Sequence, residues 1–518
     1  MRPKMTGIVA PLVTMVALTV ANGARGGEKS SLAWALDSIT VDDVRRHVEA
    51  LSNDTFEGRE AGSRGGRAAG VYLERLVRQP QFVPAGGDGS FFQPFGNGYR
   101  NILARFEGSD ERLKNEVIVV GAHYDHVGYG NRQNSNGPIG YIHNGADDNA
   151  SGAAALLEAM ETFARLPSPP RRSILFAFWD GEEKGLLGSQ HWASHPTMPL
   201  AQVPLVVNLD MVGRLRNDRL EVYGTRTTRG LRRLFSSQNA DANLRLDFTW
   251  EMADNSDHYT FYQRSIPIVM LHTGLHDDYH RPSDDVEKVN FDGVRRVGRL
   301  LVSAVYELAD RPDRPEFRAA SRTESVAEQR AVERALPPLP GRLGIQWSHR
   351  SEAEPALRVT HVAARSAADR AGIRAGDRIM QFANREITSD EAFVAQVLAA
   401  ENPIEVQVER DGATEPIMLS VLLDGVPVRL GISWRVDDAE PGCIVVSRVV
   451  PGSPAAHGGV RVNDRICAVN SQSFSDGDDF RRLIAAASGD TLDLEVEREG
   501  RIQTVPVDRT TVLDRQSP

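Results

Sequence analysis

The sequence predicts an α/β protein with a mixed, mostly parallel central sheet flanked by helices, followed by two small β-rich domains. One observation is the alternation of apolar runs such as residues 116–121 (EVIVVG) with amphipathic helical stretches such as residues 151–166. The other is an internal repeat, in which Arg342-Leu343-Gly344-Ile345 recurs as Arg429-Leu430-Gly431-Ile432. Each copy reads as short strands around one helix, which indicates two units of domain size.

The N-terminus has the pattern of a secretory signal peptide. Arg2 and Lys4 precede an apolar run at residues 8–20, and mostly small residues follow at 21–24. We therefore expect a signal peptide over residues 1–24 and export to the periplasm or the outside of the cell. The apolar run is too short to span a bilayer, and no later segment predicts a transmembrane helix.

Composition narrows the classes of function. The chain has 518 residues with 41% hydrophobic and 25% charged residues, which suits a globular protein of several domains. The net charge is −10 and no cluster of Lys and Arg stands out. Nucleic acid is therefore not an expected partner, because phosphate binding needs a concentrated basic surface.

Changes of pattern along the chain predict the domain boundaries. The α/β alternation predicts a first domain over residues 38–311, and the charged, proline-ended stretch 312–341 is typical of a linker. The repeated units are expected over residues 342–425 and 428–510. The two cysteines, Cys443 and Cys467, lie in the last unit, where a disulfide and two free buried thiols are both open alternatives.

Residues with metal-binding side chains follow several predicted strands of the first domain. Each has an ordinary explanation on its own, since the acids at 147–148 suit a helix N-cap and those at 182–183 suit a surface turn. Parallel strands bring their carboxyl ends to one sheet edge, so these side chains are expected to converge there. Two histidines and three carboxylates form a natural ligand set for two zinc ions. The candidates are His123, one of Asp147 and Asp148, one of Glu182 and Glu183, Asp210, and a histidine of residues 272–285.

The segment from about Asp42 to Leu308 resembles the dizinc aminopeptidase family, which includes bacterial leucyl aminopeptidases and, more distantly, glutamate carboxypeptidase. Phe56-Glu57-Gly58-Arg59-Glu60, near the start of the segment, is similar to family sequence as well. The main motifs are His123-Tyr124-Asp125, Gly145-Ala146-Asp147-Asp148-Asn149-Ala150-Ser151-Gly152, Glu182-Glu183-Lys184-Gly185-Leu186-Leu187-Gly188-Ser189, Asn208-Leu209-Asp210-Met211-Val212 and Asp278-Tyr279-His280-Arg281-Pro282-Ser283-Asp284.

The resemblance implies a role for each residue. Asp148 would bridge two zinc ions, one held with Glu183 and His280 and the other with His123 and Asp210. Glu182 would be the general base. Asp125 would orient His123, and Asp257 would lie behind the ligands in a less defined role. The histidines that are not expected to be ligands are His126, His143, His258, His272 and His276.

The repeated units resemble PDZ domains. Leu343-Gly344-Ile345 and Leu430-Gly431-Ile432 are similar to PDZ carboxylate-binding loops, and residues 371–379 and 459–466 are similar to a segment of bacterial PDZ domains. This implies that the units bind peptide C-termini as an added strand.

Together these features predict an exported, zinc-dependent exopeptidase, most simply an aminopeptidase that hydrolyses N-terminal peptide bonds of peptides or proteins. A carboxypeptidase, a dipeptidase or a glutaminyl cyclase on the same fold is an alternative, although the family suggests that the cyclase uses one zinc. An alternative of another class is a scaffold protein whose PDZ pair is the function and whose peptidase domain is inert.

Overall fold

The computed structural model describes residues 31–338, 341–348, 356–428 and 430–509. The predicted signal peptide lies outside these residues. The chain divides into two compact units, one of Met1–Leu220 with Ala253–Arg314 and the other of Glu221–Met252 with Pro315–Pro518.

A mixed sheet forms the centre of the first unit. Its strands are β1 (Phe82–Pro84), β2 (Phe92–Phe95), β3 (Tyr99–Phe106), β4 (Val117–His123), β5 (Ser173–Trp179), β6 (Val206–Leu209) and β9 (Ile268–His272). They run in the order β1-β3-β5-β4-β6-β9, with β2 beside β3. The central pairs β5–β4, β4–β6 and β6–β9 are parallel, and β3 is antiparallel to β5. This confirms the predicted class, a sheet that is parallel in its centre.

Helices cover both faces of this sheet. They are α1 (residues 31–36), α2 (Val41–Leu51), α3 (Arg64–Val77), α4 (Gly152–Ala164), α5 (Leu187–Ser194), α7 (His258–Tyr262) and α8 (Phe291–Asp310). On β5, Phe176 packs against Phe163 of α4, and Trp179 packs against Trp192 of α5 and Phe261 of α7. Strand residues three apart point to opposite faces, so α4 and the α5–α7 pair lie on different sides.

The second unit contains two antiparallel sheets of the same strand order. The first is β10-β11-β12-β14-β15 with β13 beside β12, and the second is β16-β17-β18-β20-β21 with β19 beside β18. The strands of the first are β10 (Ile345–Trp347), β11 (Leu357–Val362), β12 (Arg378–Phe382), β13 (Arg385–Glu386), β14 (Ile404–Glu409) and β15 (Ile417–Val421). Those of the second are β16 (Ile432–Val436), β17 (Ile444–Val449), β18 (Arg465–Val469), β19 (Gln472–Ser473), β20 (Thr491–Arg498) and β21 (Arg501–Asp508). These β-rich sheets confirm the second part of the predicted fold class.

Short helices accompany each sheet, and each sheet has its own apolar core. The helices are α10 (Ala367–Ala371) and α11 (Asp390–Ala399) for the first, and α12 (Pro454–His457) and α13 (Gly477–Ala486) for the second.

A disulfide joins Cys443 to Cys467, which decides between the two alternatives that the sequence leaves open. The stretch predicted as a linker contains the α-helix α9 (Val326–Glu333).

Residues 221–252 interrupt the first unit and pack on the second sheet. This segment begins within β7 (Arg219–Tyr223) and contains α6 (Leu231–Gln238) and β8 (Arg245–Phe248). Backbone N–H groups of Arg232 and Arg233, in the first turn of α6, donate to the buried Glu440 carboxylate at 2.8 and 3.2 Å. A carboxylate is stabilising at a helix N-terminus, because unpaired N–H groups and the helix dipole favour negative charge there.

None of the helices in the described part of the chain has the length and apolar character needed to cross a bilayer.

Candidate metal centre

The structure brings the five predicted ligand residues together at the carboxyl edge of the central sheet. His123 ends β4, and Asp210 follows the last residue of β6. Glu183 lies in the turn after β5, Asp148 precedes α4, and His280 lies in the connection after β9. His123, Glu183 and Asp210 reach the edge because buried apolar strands end at or shortly before them, as expected for open α/β sheets, and loops bring Asp148 and His280 to the same edge.

The donor atoms form two groups that share one carboxylate. Nε2 of His123 lies 3.4 Å from Oδ1 of Asp148 and 3.4 Å from Oδ1 of Asp210. Nε2 of His280 lies 3.1 Å from Oδ2 of Asp148 and 3.0 Å from Oε2 of Glu183. The two oxygens of Asp148 therefore face different groups. We call these the His123 cluster (His123, Asp148, Asp210) and the His280 cluster (Asp148, Glu183, His280).

The donor set fits zinc. Imidazole nitrogen and carboxylate oxygen are zinc ligands, and atoms bound tetrahedrally at about 2.0–2.2 Å lie about 3.3–3.6 Å from one another. The separations between the donor atoms within the clusters, 3.0 to 3.4 Å, are close to that spacing. In addition, Asp148 and Asp210 are buried, and buried carboxylates at this density need a compensating cation. The residues present could therefore hold two metal ions.

The raised pKa values of two histidines indicate an excess of negative charge at the site. Burial alone would lower the pKa of His280, but the Asp148 and Glu183 carboxylates raise it to about 11. Burial likewise opposes the charged form of His123, yet the nearby Glu182 and Asp210 raise its pKa well above the usual range. Histidines that hold protons this strongly lie in a site that attracts cations.

Glu182 lies next to the His123 cluster. It is partly exposed, whereas the neighbouring Asp148 and Asp210 are buried. Loss of hydration within the site raises the pKa of Glu182, and the Glu183 and Asp210 carboxylates raise it further. A partly accessible carboxylate with a raised pKa is suited to accept and return a proton.

Asp125 contacts both the histidine and the acidic turn. Nδ1 of His123 lies 3.2 Å from the backbone oxygen of Asp125 and 3.8 Å from its carboxylate. The carboxylate accepts hydrogen bonds from the backbone N–H groups of Glu182, at 3.0 Å, and Glu183, at 3.4 Å. The side chain of Asp125 thus positions the Glu182–Glu183 turn, while its carbonyl accepts from the imidazole.

Asp257 is buried close to the same cluster. Burial raises its pKa to about 6, and its charge interacts with those of His123 and Asp210. It lies at the start of α7, and its side chain caps none of that helix's N–H groups. The carboxylate therefore adds negative charge behind the ligands.

Arg59 has a structural role that the sequence did not reveal. Its buried guanidinium donates to five backbone oxygens that belong to three separate segments. These are the carbonyls of Leu51, Tyr124, Asn144, Gly145 and Asp148. One side chain thus joins the connection after β4 to the turn that carries Asp148. The available signal was the similarity of residues 56–60 to family sequence.

A second arginine supports the Asp148 turn from the other side. Oδ2 of the buried Asp284 accepts the backbone N–H groups of Asp147 and Asp148, both at 3.0 Å. Arg214 pairs with Oδ1 of Asp284 at 2.7 Å. Asp284 ends the family-like motif at residues 278–284, but neither it nor Arg214 has a role that the sequence predicts, because their pairing joins separate loops.

The structure also places His126, which the sequence does not predict as a ligand, beside the His280 cluster. It is buried, and its Nδ1 lies 2.8 Å from Oε1 of Glu183, within the group of atoms around the His280 cluster. The other histidines contact protein groups outside the two clusters. For example, His143 lies 2.7 Å from Ser135, and Nε2 of His276 lies 3.1 Å from Oδ2 of Asp147.

The loops expected to bind peptide carboxylates precede strands β10 and β16. Gly344 and Gly431 have φ values of 79° and 87°, a region that glycine adopts without strain. Leu343 and Leu430 are buried in the two cores, and Ile345 and Ile432 pack partly against them. β10 pairs with β11 and β16 pairs with β17, and each of the two strands stands first in the strand order of its sheet.

Comparison with protein families identifies three regions. Residues 101–305 match the model of peptidase family M28, and residues 341–421 and 445–498 each match a PDZ domain model.

Known proteins are similar to the first region. Leupeptin-inactivating enzyme 1 of Streptomyces exfoliatus is 28% identical over 255 residues, which cover 48% of this chain and 52% of that protein. Aminopeptidase YwaD of Bacillus subtilis is 29% identical over 210 residues, which cover 39% of this chain and 43% of that protein. The chain thus spans about half the length of these relatives. Among solved structures, a zinc aminopeptidase from Bacillus subtilis is 26% identical and covers 41% of this chain and 51% of that one, with a TM-score of 0.34.

Proposed function

We propose that this chain, which combines a peptidase family M28 domain with two PDZ domains, is an exported metallo-exopeptidase that removes residues from the amino termini of peptides. The observation that carries the proposal is the convergence of His123, Asp148, Glu183, Asp210 and His280 in two clusters, with Glu182 beside them. The similarity to enzymes named as aminopeptidases supports the same reading. An inert scaffold domain would have no physical need for this ligand set.

Two zinc ions would be held by the His123 and His280 clusters, with Asp148 shared, and would supply Lewis acidity toward a peptide carbonyl and toward water. Glu182 would accept the proton of the attacking water and deliver it to the leaving amine. The Asp125 carboxylate holds the backbone of Glu182, so the base keeps its position through both transfers. Arg59 joins the connection that follows His123 to the turn that carries Asp148.

The choice between an aminopeptidase and a carboxypeptidase follows the relatives, since a protein that this chain resembles is named as an aminopeptidase. Glu182 and Asp257 are carboxyl groups beyond those in the His123 and His280 clusters, and in their ionised form they would pair with a substrate ammonium group.

The choice can be tested with substrates that differ in whether the amino terminus or the carboxyl terminus is free. The purified protein would be assayed with aminoacyl p-nitroanilides, with their N-acetylated counterparts, and with N-acyl dipeptides that have a free carboxylate. Cleavage restricted to free-amine substrates and lost with a chelator supports the proposal. Cleavage of the N-acyl dipeptides instead would assign a carboxypeptidase, and chelator-resistant cleavage would exclude the metal centre.

The remaining parts of the proposal concern the location and the C-terminal domains. We place the peptidase domain at residues 38–311, the linker at 312–341 and the PDZ domains at 342–425 and 428–510. The strand-like, apolar loops at 343–345 and 430–432 support binding of peptide C-termini beside β10 and β16. The composition of residues 1–24 supports export, and so does the disulfide Cys443–Cys467, since disulfides persist in oxidising compartments.

A further inference from the structure

We propose that His126 is a fourth protein ligand of the metal ion at the His280 cluster, so that the two metal positions are unequal. The inference rests on the metal centre proposed above. The sequence gives His126 no role, because it is not among the positions that the family resemblance implies as ligands.

Nδ1 of His126 lies among the donor atoms of the His280 cluster. This atom lies 2.8 Å from Oε1 of Glu183 and 3.8 Å from Oδ2 of Asp148, and His280 closes the group at 3.1 Å from Asp148 and 3.0 Å from Glu183. These separations surround the value of about 3.3–3.6 Å expected between atoms that share one tetrahedral zinc ion. Four side chains therefore face one position, with one donor atom available from each.

Neighbouring residues hold the His126 ring in this position. The backbone of His126 bridges to Glu60, and its N–H donates to the carbonyl of Arg59 at 3.3 Å. On one side the ring packs against Gly145, where an added Cβ would lie only 2.5 Å from Cδ2 of His126. The imidazole is buried, and its Nε2 has no hydrogen-bond partner among the described groups, so Nδ1 carries the polar function of the ring.

The inequality follows from the number of ligands. The His123 cluster offers three protein groups, and the His280 cluster offers four once His126 is included. Zinc sites with four protein ligands are closed, whereas catalytic sites keep one position open for water or substrate. The metal ion with an open coordination position would then be the one at the His123 cluster, next to Glu182. The closed position would hold its metal more tightly.

The alternative role for His126 is a hydrogen bond to Glu183 without metal contact. Loss of affinity alone does not separate the two roles, because partners of metal ligands also change affinity by about 10- to 100-fold. The test must therefore locate Nδ1 relative to the metal.

The decisive experiment is a crystal structure of the unmodified full chain soaked with Zn²⁺, with anomalous data at the zinc edge. The inference predicts zinc at the His280 cluster with Nδ1 of His126 at about 2.0–2.1 Å. Zinc in that position with Nδ1 beyond about 3 Å and still bonded to Glu183 would overturn the inference, while the proposed function would stand. Zinc absent from both positions would overturn both.

A titration adds a second readout that does not depend on activity. Competition between the apoprotein and a chromophoric chelator measures the two zinc affinities of the unmodified protein, of His126→Phe and of His143→Gln. The inference predicts that His126→Phe weakens the tighter of the two zinc-binding events at least 10-fold. It predicts that His143→Gln leaves both zinc affinities unchanged, because His143 is a buried histidine of the same connection that contacts Ser135 instead. Two unchanged affinities in His126→Phe would contradict it.

Discussion

The backbone N–H of Glu182 donates a hydrogen bond to Oδ1 of Asp125 at 3.0 Å, and Nδ1 of His123 lies 3.8 Å from the same oxygen. One buried carboxylate thus lies between the proposed base and a proposed ligand. The His123 imidazole is closer to the backbone carbonyl of Asp125, at 3.2 Å, so the carboxylate serves chiefly the acidic turn.

Asp125→Asn should reduce kcat about 10- to 100-fold and leave the zinc content unchanged. An asparagine accepts through one oxygen only, so one of the two N–H groups of the turn loses its acceptor, and Glu182 is no longer held in place. Steady-state kinetics and metal analysis check this result. Asp292→Asn, at an exposed position paired with Arg295, is the matched control. Equal loss of kcat in both variants would contradict the positioning role.

Arg59→Met should destabilise the first unit by at least about 3 kcal/mol, because each buried acceptor left unpaired costs about 1–3 kcal/mol. The methionine keeps much of the apolar stem but donates no hydrogen bond to the carbonyls around Tyr124 and Asp148. Thermal unfolding and zinc titration measure the effect on stability and on the site.

Arg64→Met provides the comparison for Arg59. Arg64 is exposed and pairs with Glu57 at the surface, where such pairs contribute about 0–1 kcal/mol. A change in melting temperature as small for Arg59→Met as for Arg64→Met would show that the guanidinium does not join the loops.

Glu158→Gln should make stability less dependent on pH. Burial and the neighbouring Glu161 raise the pKa of Glu158 to about 8, from an ordinary value of 4.5. The folded protein therefore binds this proton more tightly than the unfolded chain. The stabilisation is complete below about pH 4.5 and is lost as the pH rises through 8, at about 1.4 kcal/mol per pKa unit.

The measurement is the melting temperature at pH 5 and pH 9. We expect the wild-type protein to lose more stability than Glu158→Gln over this interval, so that the glutamine variant is the more stable at pH 9. Parallel pH profiles of the two proteins would show that Glu158 does not titrate in this range.

Replacement of Cys443 and Cys467 by serine should destabilise the second PDZ domain by about 3 kcal/mol, because the disulfide closes a loop in the unfolded chain. The two cysteines are separated by 24 positions. Reduction of the wild-type protein should lower the melting transition of this domain by a similar amount, whereas the double-serine variant should not respond to reductant. Equal stability of the oxidised and reduced protein would contradict this prediction.

The sequence predicted those parts of the structure that depend on short, continuous stretches of residues. Buried strands such as residues 116–121 and 172–179 were recognisable because they are continuous apolar runs, and the residues at their carboxyl ends became the site candidates. It missed Arg59, Arg214 and Asp284, because their contacts join loops far apart in the chain. It also gave His126 no role, since only the packing against Gly145 and the bridge to Glu60 direct that ring toward Glu183.

The central claim is that Glu182 is the base of a metal-dependent aminopeptidase, and Glu182→Gln tests it most directly. The measurement is kcat for a free-amine aminoacyl p-nitroanilide together with the zinc content of the same sample. The account predicts a loss of kcat of about 10²- to 10⁴-fold with unchanged zinc content, because glutamine keeps the shape of the side chain but cannot carry the proton. Undiminished turnover by a zinc-loaded Glu182→Gln protein would contradict the account.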